Sequence, residues 1–132
     1  MKQILLALLL ALSPCVEVKA NDTRIGTATY YTVRSNGGTR TSSGIPLSDT
    51  KLTTASVIFP LHSKLLVTNL SNGKAVTVTV TDSGPFATNT KGQALKPLRP
   101  HPSRIVDVSQ AAAKALGLIG KGTTKVKVQK IK

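Results

Sequence analysis

The chain has 132 residues, and 18 Lys and Arg against 5 Asp and Glu give it a formal net charge of +13 at pH 7. That length fits one domain, and an apolar content of 40% argues against intrinsic disorder. Only Tyr30, Tyr31, Phe59 and Phe86 are aromatic, so the core has to be aliphatic, and carboxylate chemistry must draw on Glu17, Asp22, Asp49, Asp82 or Asp107.

Residues 1–20 read as an export signal. Lys2 precedes the unbroken apolar run Ile4 to Leu12, and a more polar stretch ends at Val18, Lys19 and Ala20. These nine apolar residues fall well short of the roughly 20 that a membrane-spanning helix needs. Cleavage after Ala20 removes Lys2, Lys19 and Glu17 and leaves 16 basic and 4 acidic side chains, a charge of +12. Cys15 is the only cysteine, which excludes an internal disulfide. Leu12, Ser13, Pro14 and Cys15 also resemble the lipobox of bacterial lipoproteins, in which the cysteine is acylated, although Pro14 stands where a small residue is expected. Acylation at Cys15 and cleavage after Ala20 are the two readings of this leader.

Past the leader, Gly26 to Tyr31 and Leu52 to Ala55 are the first candidate strands, followed by Lys64 to Leu70. Ala75 to Thr81 alternates with period two. Val76, Val78 and Val80 are expected to face the core and Thr77, Thr79 and Thr81 to face away. Between these last two strands, Asn72 and Gly73 supply the positive-φ pair of a tight hairpin. The longest irregular segment, Ala87 to Ser103, holds Pro97, Pro100 and Pro102 together with Lys91, Lys96, Arg99 and His101. A loop of this length inside a small domain is usually functional or mobile. Arg104 to Val108 reads as a strand. Ser109 then caps a short Ala-rich helix, Gln110 to Leu116, which Gly117 ends in the left-handed conformation. Thr123 to Ile131 is the last strand.

Several chemistries find no support. The chain has no glycine-rich phosphate loop, no cluster of metal-ligating His and Cys, and no serine with a plausible triad. His62 and His101 sit beside prolines and read as surface turn residues. Neither a cofactor nor a metal is expected.

A set of runs in a fixed order carries a family resemblance. They are Gly26 to Tyr31; Thr41-Ser42-Ser43-Gly44; Leu52 to Ala55; Phe59-Pro60-Leu61; Val67 to Lys74; Asp82-Ser83-Gly84-Pro85-Phe86; and Ile105 to Ser109 with Ala111 to Gly117. Together they resemble the rare lipoprotein A (RlpA) family, over nearly all of the chain past the leader. The resemblance implies a mainly β fold, a small double-psi β-barrel of six or seven strands with one short helix near residues 109–117, covering residues 24–132. It also implies endolytic lytic transglycosylase activity on peptidoglycan glycan strands, with 1,6-anhydromuramic ends as product. The alternative is an expansin-like module that binds cell-wall glycan without cutting it.

The implied site transfers position by position. In catalytically competent members a glutamate follows the T-A-S-G loop, a histidine lies eleven residues further on, and the aspartate of the G-P-F turn completes the site. Here those positions hold Ile45, Ser56 and Asp82. Asn89 to Ser103 resembles an insertion before the last motif. A lytic transglycosylase needs only one carboxyl that gives and then takes a proton, because the substrate's own C6 hydroxyl attacks C1. Asp82 is the candidate, supported by Asp107, whose like charge could keep one of the pair protonated. Each has a structural alternative: an Asx turn at Ser83 and Gly84 for Asp82, and the positive end of the helix for Asp107. Thr41, Ser42, Ser43 and Ser56 offer hydroxyls to sugars.

The positive charge fits an anionic cell-wall polymer better than nucleic acid, given the export signal and the near absence of aromatics. Lys91, Lys96, Arg99 and Arg104 are candidates for a rim that docks glycan carboxylates, and a solvated basic surface is the other reading. The expected location is the periplasm or cell envelope, with membrane attachment only through a lipid at Cys15.

Overall fold

The structure, a computed structural model, describes residues 22–132; the leader and Cys15 lie outside the described residues. Six strands and one helix follow in chain order: β1 (Thr23–Tyr30), β2 (Thr53–Ala55), β3 (Lys64–Asn69), β4 (Ala75–Asp82), β5 (Arg104–Val108), α1 (Gln110–Leu116) and β6 (Thr124–Lys130). The strands close into a barrel in the order β1-β5-β2-β4-β3-β6. Pairs β1 with β5 and β2 with β4 are parallel, and the other four are antiparallel. The fold is therefore mainly β, as expected.

Alternation builds the core. Leu65 and Val67 of β3, Val78 and Val80 of β4, Val106 and Val108 of β5, and Val126 and Val128 of β6 all point inward and are almost completely buried. The helix closes one end of the barrel with Ala112, Ala113 and Leu116. Ser109 caps it by accepting from the Ala112 N–H, and Gly117 ends it at φ 72°, as the sequence predicts. Asn69, buried beneath the helix, donates to the Leu116 carbonyl at 2.8 Å and accepts from Thr124 Oγ1 at 3.1 Å, which joins β3, β6 and α1.

Two sequence expectations need correction. The β3–β4 connection is longer than a two-residue hairpin: Gly73 alone has positive φ, its N–H bonds to the Asn69 carbonyl, and Asn72 instead caps the turn through the Lys74 N–H. Thr81 does not face away with Thr77 and Thr79 but is buried at 3% exposure. The cause is a register shift opposite Thr54 and Ala55, where β4 carries one residue more than β2.

Candidate functional site

That shift determines where Asp82 points. By simple alternation from Val78 and Val80, Asp82 would enter the core. Because β2 pairs Thr54 with Val80 and Ala55 with Asp82, Thr81 is the bulged residue and Asp82 comes out on the same face as Ala55. On the other side of β2, Ala55 pairs with Asp107, whose neighbours Val106 and Val108 point inward. The two aspartates thus flank one alanine on the barrel's outer face, their backbones two strand spacings, or about 10 Å, apart. An open pocket of about 280 Å³ lies over this trio and is lined also by Tyr31, Phe86 and Arg104.

The two carboxylates have different surroundings. Asp82 is saturated with donors: the Ser42 N–H and Oγ at 3.0 Å and the Ser83 N–H at 2.9 Å reach Oδ1, and the Tyr31 hydroxyl reaches Oδ2 at 3.1 Å. Of the two amides of the Asx-turn reading only the Ser83 N–H bonds to Asp82, and the Gly84 N–H that would close such a turn does not; Ser42 and Tyr31 are long-range partners that fix the carboxylate against the groove. Asp107 accepts one hydrogen bond, from Thr29 Oγ1 at 3.1 Å. Burial pushes its carboxyl above the usual carboxylate range, with a smaller push from Asp82, against the opposing effects of Thr29 and Arg104. Its side chain turns to β1 rather than to the start of the helix. Burial, followed by the nearby Asp82 charge, also pushes the Tyr31 hydroxyl upward, so it stays a donor.

The other candidates divide. Thr41 and Ser43 shape the loop: Thr41 Oγ1 donates to the Ile45 carbonyl at 2.6 Å, and Ser43 Oγ accepts from the Ile45 N–H at 3.1 Å. Ser42 alone of this loop touches an aspartate. Ser56 is 3% exposed, and its Oγ accepts from the N–H groups of Ile58 and Phe59, both at 3.2 Å. That geometry commits the Ser56 Oγ to the turn at Ile58 and Phe59 and leaves the side chain little exposed. Ile45 is exposed and lies outside the pocket lining.

The segment 87–103 is more ordered than its sequence implied. It folds back on itself as a flap, with bridges between Phe86 and Pro100 and between Thr88 and Ala94, and a tip held by Asn89 Oδ1 on the Lys91 and Gln93 N–H groups. Thr88, Gly92 and Ala94 form one wall of the pocket, while Lys91, Lys96 and Arg99 are exposed outside its lining. Arg104 does line it, and its buried Nε has no hydrogen-bond partner. His101 is a turn residue as expected: Nδ1 accepts from the Ser103 and Arg104 N–H groups at 3.1 and 2.9 Å, which holds the backbone of Arg104. Burial, followed by the Arg104 charge, lowers its pKa and favours this neutral acceptor form. Sequence reasoning missed Tyr31, Asn36 and Ala55 as pocket residues. Tyr31, a rare aromatic directly after the first strand, was the one available signal.

Comparison with known proteins agrees with this architecture. The family described as lytic transglycolase matches residues 23–128. Relatives named endolytic peptidoglycan transglycosylase RlpA include one from Neisseria meningitidis serogroup A, 38% identical over 112 residues, which are 85% of this chain and 41% of the relative. Another, from Pasteurella multocida, is 40% identical over 108 residues, covering 82% of this chain and 32% of the relative. The chain therefore spans about two fifths or less of the length of these relatives. Among solved structures, the Streptomyces papain inhibitor is similar with a TM-score of 0.60 at 20% identity, covering 88% of this chain and all of the inhibitor. An expansin from Clavibacter michiganensis gives 0.56 at 21% identity over 83% of this chain and 50% of the expansin. At such identities these likenesses concern the fold, a double-psi β-barrel. With the sequence match running from the first strand of that barrel to the last, the chain belongs to the lytic transglycolase family.

Proposed function

We propose that this domain acts outside the cytoplasm on peptidoglycan glycan strands, as an endolytic lytic transglycosylase that leaves 1,6-anhydromuramic ends. The observation that carries the reading is the pairing of Asp82 and Asp107 with opposite sides of Ala55, with one carboxylate held by four donors and the other desolvated. Burial favours the protonated form of Asp107, the direction a general acid requires. Asp107 gives that proton to the leaving O4 as the C1–O4 bond breaks. Asp82, fixed by Ser42, Ser83 and Tyr31, faces the positive charge that develops at C1. The C6 hydroxyl then bonds to C1, and its proton returns to Asp107. No water is consumed. Arg104 meets a glycan carboxylate in the groove, and Lys91, Lys96 and Arg99 attract the polyanion along the flap. Export by the leader into the periplasm or cell envelope, with a lipid at Cys15 as membrane attachment, belongs to the same proposal.

One observation favours a second reading, a glycan-binding module without catalysis: the family's glutamate and histidine positions hold Ile45, exposed outside the pocket, and Ser56, committed to a turn. Digestion of purified glycan strands, followed by mass analysis of the ends, separates the two. Anhydromuramic ends that vanish in Asp107→Asn support the enzyme. Retained binding without such ends from the wild-type chain leaves the binding module.

A further inference from the structure

β6 is three strands away from β2 in either direction around the barrel, so its outer face lies opposite the groove. Val126 and Val128 fill the core, which turns Lys125 and Lys127 outward. Lys127 pairs with Ile25 on β1 and with Thr68 on β3. Ile25 is 62% exposed, more than any other large apolar side chain among the described residues. Lys125 lies beside Leu70, which is exposed and donates its N–H to the Lys125 carbonyl. Along β3 the outward row continues with Lys64, whose Nζ reaches Thr79 Oγ1 at 2.9 Å, and the half-buried Leu66.

The one described acid that borders this face is Asp22, half-buried immediately before β1. Among the described residues, no acid occupies β3, β6 or the outward positions of β1. Asp82 and Asp107 are spent in the groove, and Asp49 accepts from the Val33 N–H in a distant turn. Lysines alone would suit any polyanion. Aliphatic side chains left in water between them suit a surface with anionic headgroups above and hydrocarbon below.

We propose that the outer face of β1, β6 and β3 docks on an anionic phospholipid bilayer, with Lys64, Lys125 and Lys127 on headgroups and Ile25 and Leu70 in the interface. Docking there turns the groove away from the lipid. It does not depend on what the groove binds or cuts.

The test is co-sedimentation of the unacylated chain from Asn21 onward, which holds the whole barrel, with vesicles of phosphatidylcholine alone and of phosphatidylcholine containing phosphatidylglycerol, at low and physiological salt. Binding is expected only to the anionic vesicles. Each lysine removed should weaken it by about fivefold, so Lys125→Gln with Lys127→Gln together should largely abolish it at physiological salt. The corresponding Arg pair should keep it. Ile25→Ser should weaken it at all salt concentrations, and Lys91→Gln with Lys96→Gln on the flap should leave it unchanged. Unaltered binding in the Lys125 and Lys127 double variant overturns the proposal. So does binding that ignores Ile25→Ser and is matched by soluble polyphosphate, which would make the face a polyanion site instead.

Discussion

Ala55 is the single residue between Asp82 and Asp107, in register with both, and lines the groove with them. A larger side chain at this position would project into the space between the two carboxylates. Ala55→Leu is therefore expected to reduce glycan binding at least tenfold, and its stability cost should be the ~1–3 kcal/mol of an overpacked site. Isothermal titration with glycan strands and urea unfolding would measure the two effects. Wild-type affinity in a folded Leu variant would place the glycan elsewhere.

The raised pKa of Asp107 has a consequence for stability with a definite sign. Its ordinary value is 3.8, and burial holds it higher in the folded state. Between those two values the folded chain binds more protons than the unfolded one, so this group's contribution falls as pH rises through that window. Above the window the cost is complete. Asp107→Asn removes the charge and keeps an oxygen for Thr29, so the variant should be more stable than wild type at pH 7. The gain should shrink toward zero at pH 3, where the carboxyl is protonated in both states. Thermal melts across that range would show it, and a gain of equal size at both pH values would contradict the desolvation argument. Cleavage by the wild-type chain should decline on the alkaline side as the Asp107 proton is lost.

Tyr31 links the end of β1 to Asp82 through a single hydroxyl at 3.1 Å. Tyr31→Phe keeps the ring and removes the donor, which should cost about 1 to 2 kcal/mol for a bond to a charged acceptor. It also frees one carboxylate oxygen to turn, so cleavage should fall about tenfold or more, since small misplacements of a reacting group are expensive. A variant with lower stability but unchanged turnover would limit Tyr31 to a role in the fold.

The parts of this molecule legible in its sequence are those set by local rules. The valines of β4 and β6, the Ser109 cap and the Gly117 stop each follow from a period or a single conformational preference. The family motifs pointed to Asp82 and Asp107, but their common neighbour did not follow from either. Ala55 joins them only through a β-bulge at Thr81, and a bulge is fixed by pairing with another strand, not by the residues inside it. The turn role of Ser56 was hidden for a similar reason: its place in the motif suggested the groove, and the bonds it accepts from the N–H groups of Ile58 and Phe59 depend on how the chain bends after β2. The 87–103 flap was visible as a long Pro-rich segment, but its backbone pairing from Phe86 to Pro100 depends on contacts between its own two ends.

A last prediction concerns the seam between β1 and β5, which holds Thr29 beside Asp107. Gly26 stands where a Cβ would lie 2.8 Å from Ile105 Cγ2 and 3.0 Å from Cγ1 and Cδ1. Ile105 sits at the register shift between these strands and is 8% exposed, so it has little room to retreat. Gly26→Ala should therefore destabilise the barrel by ~1–3 kcal/mol through overpacking. Ile105→Ala alone should cost ~2–5 kcal/mol from the cavity it leaves. In combination the two should cost less than their sum, because the alanine methyl then enters space the isoleucine has vacated, and residues in contact couple by ~0.5–3 kcal/mol. Urea unfolding of the four members of this cycle measures that coupling directly. Strict additivity would show that β1 and β5 move apart to accept the methyl, in which case the Thr29 to Asp107 hydrogen bond should be lost in Gly26→Ala as well.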